Sequence, residues 1–221
     1  MPTVPGAFEG IANVLAVLVL LVEFLMLRAA LLHAQVRLYA AQSLLVSLLA
    51  GAVAWGRDVP ELWILALVSV AFKVIAVPWV VLRLVRQADA EIAGSGALGV
   101  ASEVLLALGV AAFGFFTVGS LPLHSPTLPK AALSLAVAVV LVACILIAVR
   151  SDVVSQAIGF FSLENGVSLA SLVVAAGLPL ILEVAFLFDL LVAVVVFGVL
   201  MRVHHGRSAT LSTSALTRLR G

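Results

Sequence analysis

Long apolar runs separated by short polar stretches recur along almost the whole chain. The runs fall at about 11–32, 38–55, 62–83, 97–118, 131–149, 156–177 and 180–201. Each is close to the roughly 20 residues that a helix needs to cross a hydrocarbon core about 30 Å thick. Between them, "GRDVPE" (56–61), "RQADAEIAGSGA" (86–97), "SLPLHSPTLPK" (120–130) and "RSDVVSQ" (150–156) gather Pro, Gly and charges, and "GLPL" (177–180) makes the tightest join. The runs are too long and too evenly apolar for the alternating walls of a barrel. The pattern therefore predicts an all-α membrane protein of about seven transmembrane helices.

Composition agrees. Of 221 residues 64% are hydrophobic and 10% charged, and the mean hydropathy is +1.31, outside the range of soluble domains. Little chain is left for a soluble domain. "MPTVPGAFEG" carries no Lys or Arg before Arg28, so the first run lacks the basic flank of a signal peptide and is expected to stay as a helix. With seven spans, Arg28, Arg37, Arg83, Arg86, Arg150, Arg202, Arg207, Arg218 and Arg220 fall on one side, against Arg57 and Lys130 on the other. The basic side is expected to be cytoplasmic, with the N-terminus outside and residues 206–221 as a cytoplasmic tail. These basic residues form a band at the membrane edge, and no nucleic-acid partner is expected.

Several familiar signals carry no site. "GSGALG" (94–99) matches a dinucleotide fingerprint but follows a polar linker and not a strand. Cys144, the single cysteine, excludes an internal disulfide or a thiolate cluster and is expected in the core. His33, His124, His204 and His205 lie near membrane edges without the i, i+4 spacing of a helical metal site. No metal or cofactor is expected in this chain.

The informative residues are the ionisable ones within the runs: Glu23, Lys73, Glu103, Glu164, Glu183 and Asp189. A charge at the centre of a membrane helix costs about 2.5 to 3.5 kcal/mol, so such residues usually face protein or water and serve a function. Glu23 and Glu183 lie close enough to run ends for a solvated role to compete. Glu164, Ser168 and Ser171 stand at i, i+4 and i+7 and share one helix face, a polar stripe. Its competing reading is interhelical hydrogen bonding alone. Pro78, five residues after Lys73, is expected to kink the third helix or admit water there, the competing reading being a kink used only for packing.

Spacings repeat. Arg28 precedes Gln42 by fourteen residues, as Arg150 precedes Glu164; Lys73 precedes Arg86 by thirteen, as Asp189 precedes Arg202. Two parallel three-helix repeats, 1–86 and 131–205, are expected, joined by a linker and fourth helix over 87–130.

A three-helix unit with a basic loop after its first helix, a mid-membrane acid in its second and another in its third resembles the K-type subunit of respiratory complex I. It is also similar to the C subunit of multisubunit sodium/proton antiporters. The length, the seven runs and "GFFSLENGVSLA" (159–170) resemble the hydrogenase-4 component E family, membrane subunits of complex I-like [NiFe] hydrogenases and formate hydrogenlyases. The resemblance implies K-type repeats in a multi-pass subunit of a prokaryotic plasma membrane. Its partners would be hydrogenase large and small subunits, antiporter-like subunits and a membrane anchor, with the NiFe centre and iron–sulfur clusters held by those partners. It also implies that Glu164 and Asp189 belong to a polar axis relaying charge, with Gln42 and Lys73 in the equivalent places of the first repeat. Gln42 cannot titrate. The function expected is therefore a non-catalytic subunit that contributes intramembrane charges to proton or sodium translocation. The alternatives are a self-contained small transporter and a purely structural assembly subunit.

Overall fold

The computed structural model describes residues 7–56, 61–87, 98–120 and 128–174, with a few isolated positions besides. Helix α1 spans Ala7–Arg28 and α2 spans Leu32–Gly56. The third apolar run is one span in three parts: α3 (Glu61–Ser69), a π-helical segment (Val70–Ala76) and α4 (Val77–Gln87). Helices α5 (Val100–Ser120), α6 (Lys130–Val149) and α7 (Val153–Val174) follow. Six of these spans are long and apolar enough to cross a membrane, so the chain is a multi-pass, all-helical membrane protein over its described residues. The predicted run 180–201, with Glu183 and Asp189, lies outside the described residues apart from isolated positions, as do His124, His204 and His205.

Two boundaries differ from the pattern-based ones. The first helix stops at Arg28 and not near 32, and the second starts at Leu32 and not near 38. Hydropathy misses this because Gln35 enters the helix as a buried residue, its side-chain amide donating to the Ala29 carbonyl at 3.1 Å. The α6–α7 connection is built alike: Gln156 donates to the Arg150 carbonyl at 2.9 Å. Asp152 also caps α7, its Oδ1 accepting the Ser155 amide N–H at 2.7 Å.

Helices α1, α2, α6 and α7 form the centre: α1 packs on α2 and α6, and α7 on α6 and α2. The third span lies against α2, and α5 against α6. One apolar cluster gathers around Tyr39 and Phe161, whose rings are 5.7 Å apart, with Val142 and Leu146; a second gathers around Val46, Leu49, Leu65, Val139 and Leu169. Large apolar side chains also point outward, Trp55 at 81% and Phe116 at 72% exposure, as expected of surfaces that meet lipid. Cys144 belongs with these: it is exposed on α6 and not in the core, because a lipid-facing position suits a thiol as well as a packed one does.

Small residues set how closely α7 approaches α6. A Cβ added at Gly166 would sit 2.8 Å from Val140 Cγ2 and 3.1 Å from the Val140 backbone nitrogen. One at Gly159 would sit 2.8 Å from Ile147 Cγ1. Bilayer helices gain little from burying apolar surface against each other, so close backbone approach supplies the packing energy. Gly166→Ala should lower stability by about 1–3 kcal/mol through overpacking. Gly109→Ala, on an α5 position with nothing within 4 Å, should be neutral or slightly stabilising. Thermal unfolding of both variants in one detergent checks the contrast.

Candidate functional site: a polar seam between two parallel helices

Polar residues on α2 and α7 recur at heptad spacing and meet face to face. Ser155 Oγ donates to Gln35 Oε1 at 2.7 Å, and Ser162 Oγ lies 2.9 Å from Gln42 Oε1. Both pairs are 120 residues apart, so the two helices run parallel in constant register. Two polar levels thus lie one above the other.

The second level is the richer one. Asn165 Nδ2 donates to Gln42 Oε1 at 3.0 Å and to Ser43 Oγ at 2.9 Å. Gln42 Nε2 donates to Glu23 Oε2 at 2.7 Å, and Ser162 Oγ closely approaches the same carboxyl oxygen. Glu23 is completely buried, so its place near a run end does not give it a solvated role. Three helices meet in this cluster: α1 through Glu23, α2 through Gln42 and Ser43, and α7 through Ser162 and Asn165.

Beyond it lies an ion pair. Lys73 Nζ is 2.8 Å from Glu164 Oε1 and donates to Ser168 Oγ at 3.1 Å, with the lysine fully buried and the glutamate nearly so. Lys73 lies in the π-helical segment, where the amide N–H of Val77 reaches the Phe72 carbonyl, five residues back. Pro78 follows at the second position of α4, and a widened turn relieves the clash its ring would make with the carbonyl four residues earlier. The expected kink is thus a π-helical segment, and it carries the lysine. Such segments occur often at functional sites. Further along, Ser47 Oγ donates to Ser69 Oγ at 3.0 Å and ties α2 to α3.

At the opposite end, Arg150 Nη2 donates to the Leu27 carbonyl and lies 3.7 Å from Glu103 Oε1. Glu103 sits in the first turn of α5, apart from the seam, and holds the ends of α1, α5 and α6 together.

Five predicted residues are placed. Glu164 and Lys73 form a pair, Glu23 and Gln42 form a cluster, and Glu103 belongs to an end clasp. The stripe of Glu164, Ser168 and Ser171 is buried. Gln35, Ser43, Ser155 and Ser162 escaped the sequence reading, because it followed the ionisable groups and the residues spaced from them. Their signal was the matched spacing: Gln35 to Gln42 and Ser155 to Ser162 are both seven residues.

Removing one partner of a buried pair leaves the other charge stranded. Lys73→Met or Glu164→Gln alone should therefore lower stability by about 3–5 kcal/mol, and the double variant should regain more than half of the loss. Unfolding of the four proteins in one detergent gives the coupling directly.

No family model matches this chain, and no solved structure matches it. It is 34% identical over 131 residues to the uncharacterized protein Rv0085 of Mycobacterium tuberculosis (strain ATCC 25618 / H37Rv). That match covers 59% of this chain and 60% of the relative, so the chain spans less than two thirds of the relative's length.

Proposed function

We propose that this protein is a non-catalytic membrane subunit of a complex I-like, membrane-bound hydrogenase in a prokaryotic plasma membrane. In this reading its Lys73–Glu164 pair contributes to proton or sodium movement in antiporter-like neighbours, while redox chemistry at NiFe and iron–sulfur centres belongs to partner subunits. The observation that carries the reading is a buried lysine and glutamate 2.8 Å apart, each near the middle of a membrane-length helix. Charges so placed are costly unless they are used or paired, and in transport proteins they mark ion pathways.

The pair has the features of a switchable element. Adding a proton to Glu164, or taking one from Lys73, removes one charge and with it most of the attraction that holds the third span to α7. Ser168 offers the lysine a second partner on the same helix face when the carboxylate is neutralised. A proton or cation arriving beside the pair would thus change the contact between two helices, a local event that adjoining subunits can read.

The proposed duplication is supported by the helix ends. Helix α1 ends four residues before α2 begins, and α6 ends four residues before α7 begins. In each copy a glutamine amide bonds back to a carbonyl six residues earlier, in a register one residue off the Arg28–Gln42 and Arg150–Glu164 match. Corresponding helices also touch, α1 with α6 and α2 with α7. Two repeats in the same orientation, related by an axis along the membrane normal, would make these contacts. The seventh span, Asp189 and an inward-facing C-terminal tail complete the proposal.

A purely structural role makes a different forecast for the double variant. Lys73→Met with Glu164→Gln removes both charges without stranding either, so the complex should assemble at near wild-type yield. Ion translocation in membrane vesicles should still fall by about 100-fold or more, the lower end of what a positioned proton-transfer group contributes. Full translocation at full yield would confine the pair to packing. Affinity capture in mild detergent should recover hydrogenase large and small subunits with antiporter-like proteins, whereas a lone oligomer active by itself would mean a self-contained transporter.

A further inference from the structure

We propose that Glu23 is a separate proton-holding site, a neutral carboxylic acid whose hydrogen bonds with Ser162 and Gln42 join α1 to the α2–α7 seam. The argument is a count of hydrogens. Ser162 Oγ lies within bonding reach of two oxygens, Glu23 Oε2 and Gln42 Oε1. A serine hydroxyl has one hydrogen to give. Gln42 turns its NH2 to Glu23 Oε2 at 2.7 Å, so its oxygen faces Ser162 and Asn165 and can only accept. Both contacts can be hydrogen bonds at once only when the serine hydrogen goes to Gln42 and the carboxyl supplies the hydrogen between Glu23 and Ser162.

Turning the Gln42 amide over does not remove the requirement. Its oxygen would then face Glu23 Oε2 at 2.7 Å, and that contact again closes only with a hydrogen on the carboxyl. Nor would the inverted amide suit Asn165, whose NH2 already points at it and at Ser43.

The surroundings ask for the same state. Glu23 is fully buried, and among the described residues no cation forms an ion pair with it. Lys73, the cation of the seam, is engaged by Glu164 and Ser168. Burying an unpaired carboxylate is far costlier than burying a hydrogen-bonded acid. A proton is therefore the ligand the site takes, held one polar level away from the Lys73–Glu164 pair. The inference needs no partner subunit and no ion translocation, so it stands or falls apart from the function proposed above.

Infrared difference spectroscopy of the whole protein in lipid at neutral pH tests it. Subtracting Glu23→Gln from wild type should show the loss of a carbonyl stretch of a neutral carboxylic acid, and that stretch should shift in Ser162→Ala. Glu164→Gln should leave the band in place. Loss of carboxylate stretches instead, or no difference at all, would overturn the proposal. Should Glu23→Gln fail to fold, the wild type can be treated with an apolar carbodiimide, which modifies protonated carboxyl groups, and mapped by peptide mass spectrometry. Modification at Glu23 is expected, and an unmodified Glu23 would count against the site.

Discussion

Polar side chains buried between membrane helices are costly unless they are hydrogen-bonded, and most of those at the centre of this bundle find partners on a neighbouring helix. That demand binds α2 to α7. Gln35 meets Ser155, Gln42 meets Ser162 and Asn165, and Ser43 meets Asn165. Because these pairs share one register, a slide of one helix along the other by a single turn would leave several buried groups unmatched at once. The seam thereby fixes orientation as well as contact. Apolar packing alone would not, since a lipid tail serves an isoleucine about as well as a neighbouring helix does.

The other helices take their places from this seam. Gly159 and Gly166 let α6 settle against α7 on one side, while Glu23 draws α1 onto both seam helices. Arg150 then closes the end of the bundle by reaching the last turn of α1 and the first turn of α5. The third span is held in a different way, by Ser47 and Ser69 and by the reach of Lys73 across to Glu164. Its π-helical segment adds a residue to the local turn, and the lysine at its centre meets the ion partner on α7. Pro78, which no ordinary helix interior would favour, is accommodated by the same widening.

Much of this was legible in the sequence, for identifiable reasons. Membrane spans show in hydropathy because the bilayer imposes one length and one chemistry on each helix, and the first six runs each gave a helix. The ends were less legible. Gln35 and Arg37 read as loop residues in a hydropathy scan, yet Gln35 is buried inside α2 because the Ala29 carbonyl and Ser155 satisfy it. Glu164 and Lys73 stood out as charges in apolar surroundings, but their pairing depends on a 95-to-91-residue loop of chain closing in three dimensions, which no local pattern encodes. Glu23 was underrated for a related reason. Distance from a run end measures depth in the membrane, whereas burial depends on which helix face meets a neighbour.

The two polar levels differ in charge, and the difference follows from what each can tolerate. At the Lys73–Glu164 level opposite charges sit together, and either one alone would be destabilising. At the Glu23 level an amide occupies the place that corresponds, in the proposed duplication, to Glu164. A second carboxyl at position 42 would have faced Glu23 across 2.7 Å, where two acids can share one proton but cannot both ionise. Glutamine there supplies a donor to Glu23 and an acceptor to Ser162 and Asn165 with no charge of its own. With an amide on one helix and an ion-paired acid on the other, α2 and α7 pack without like charges meeting.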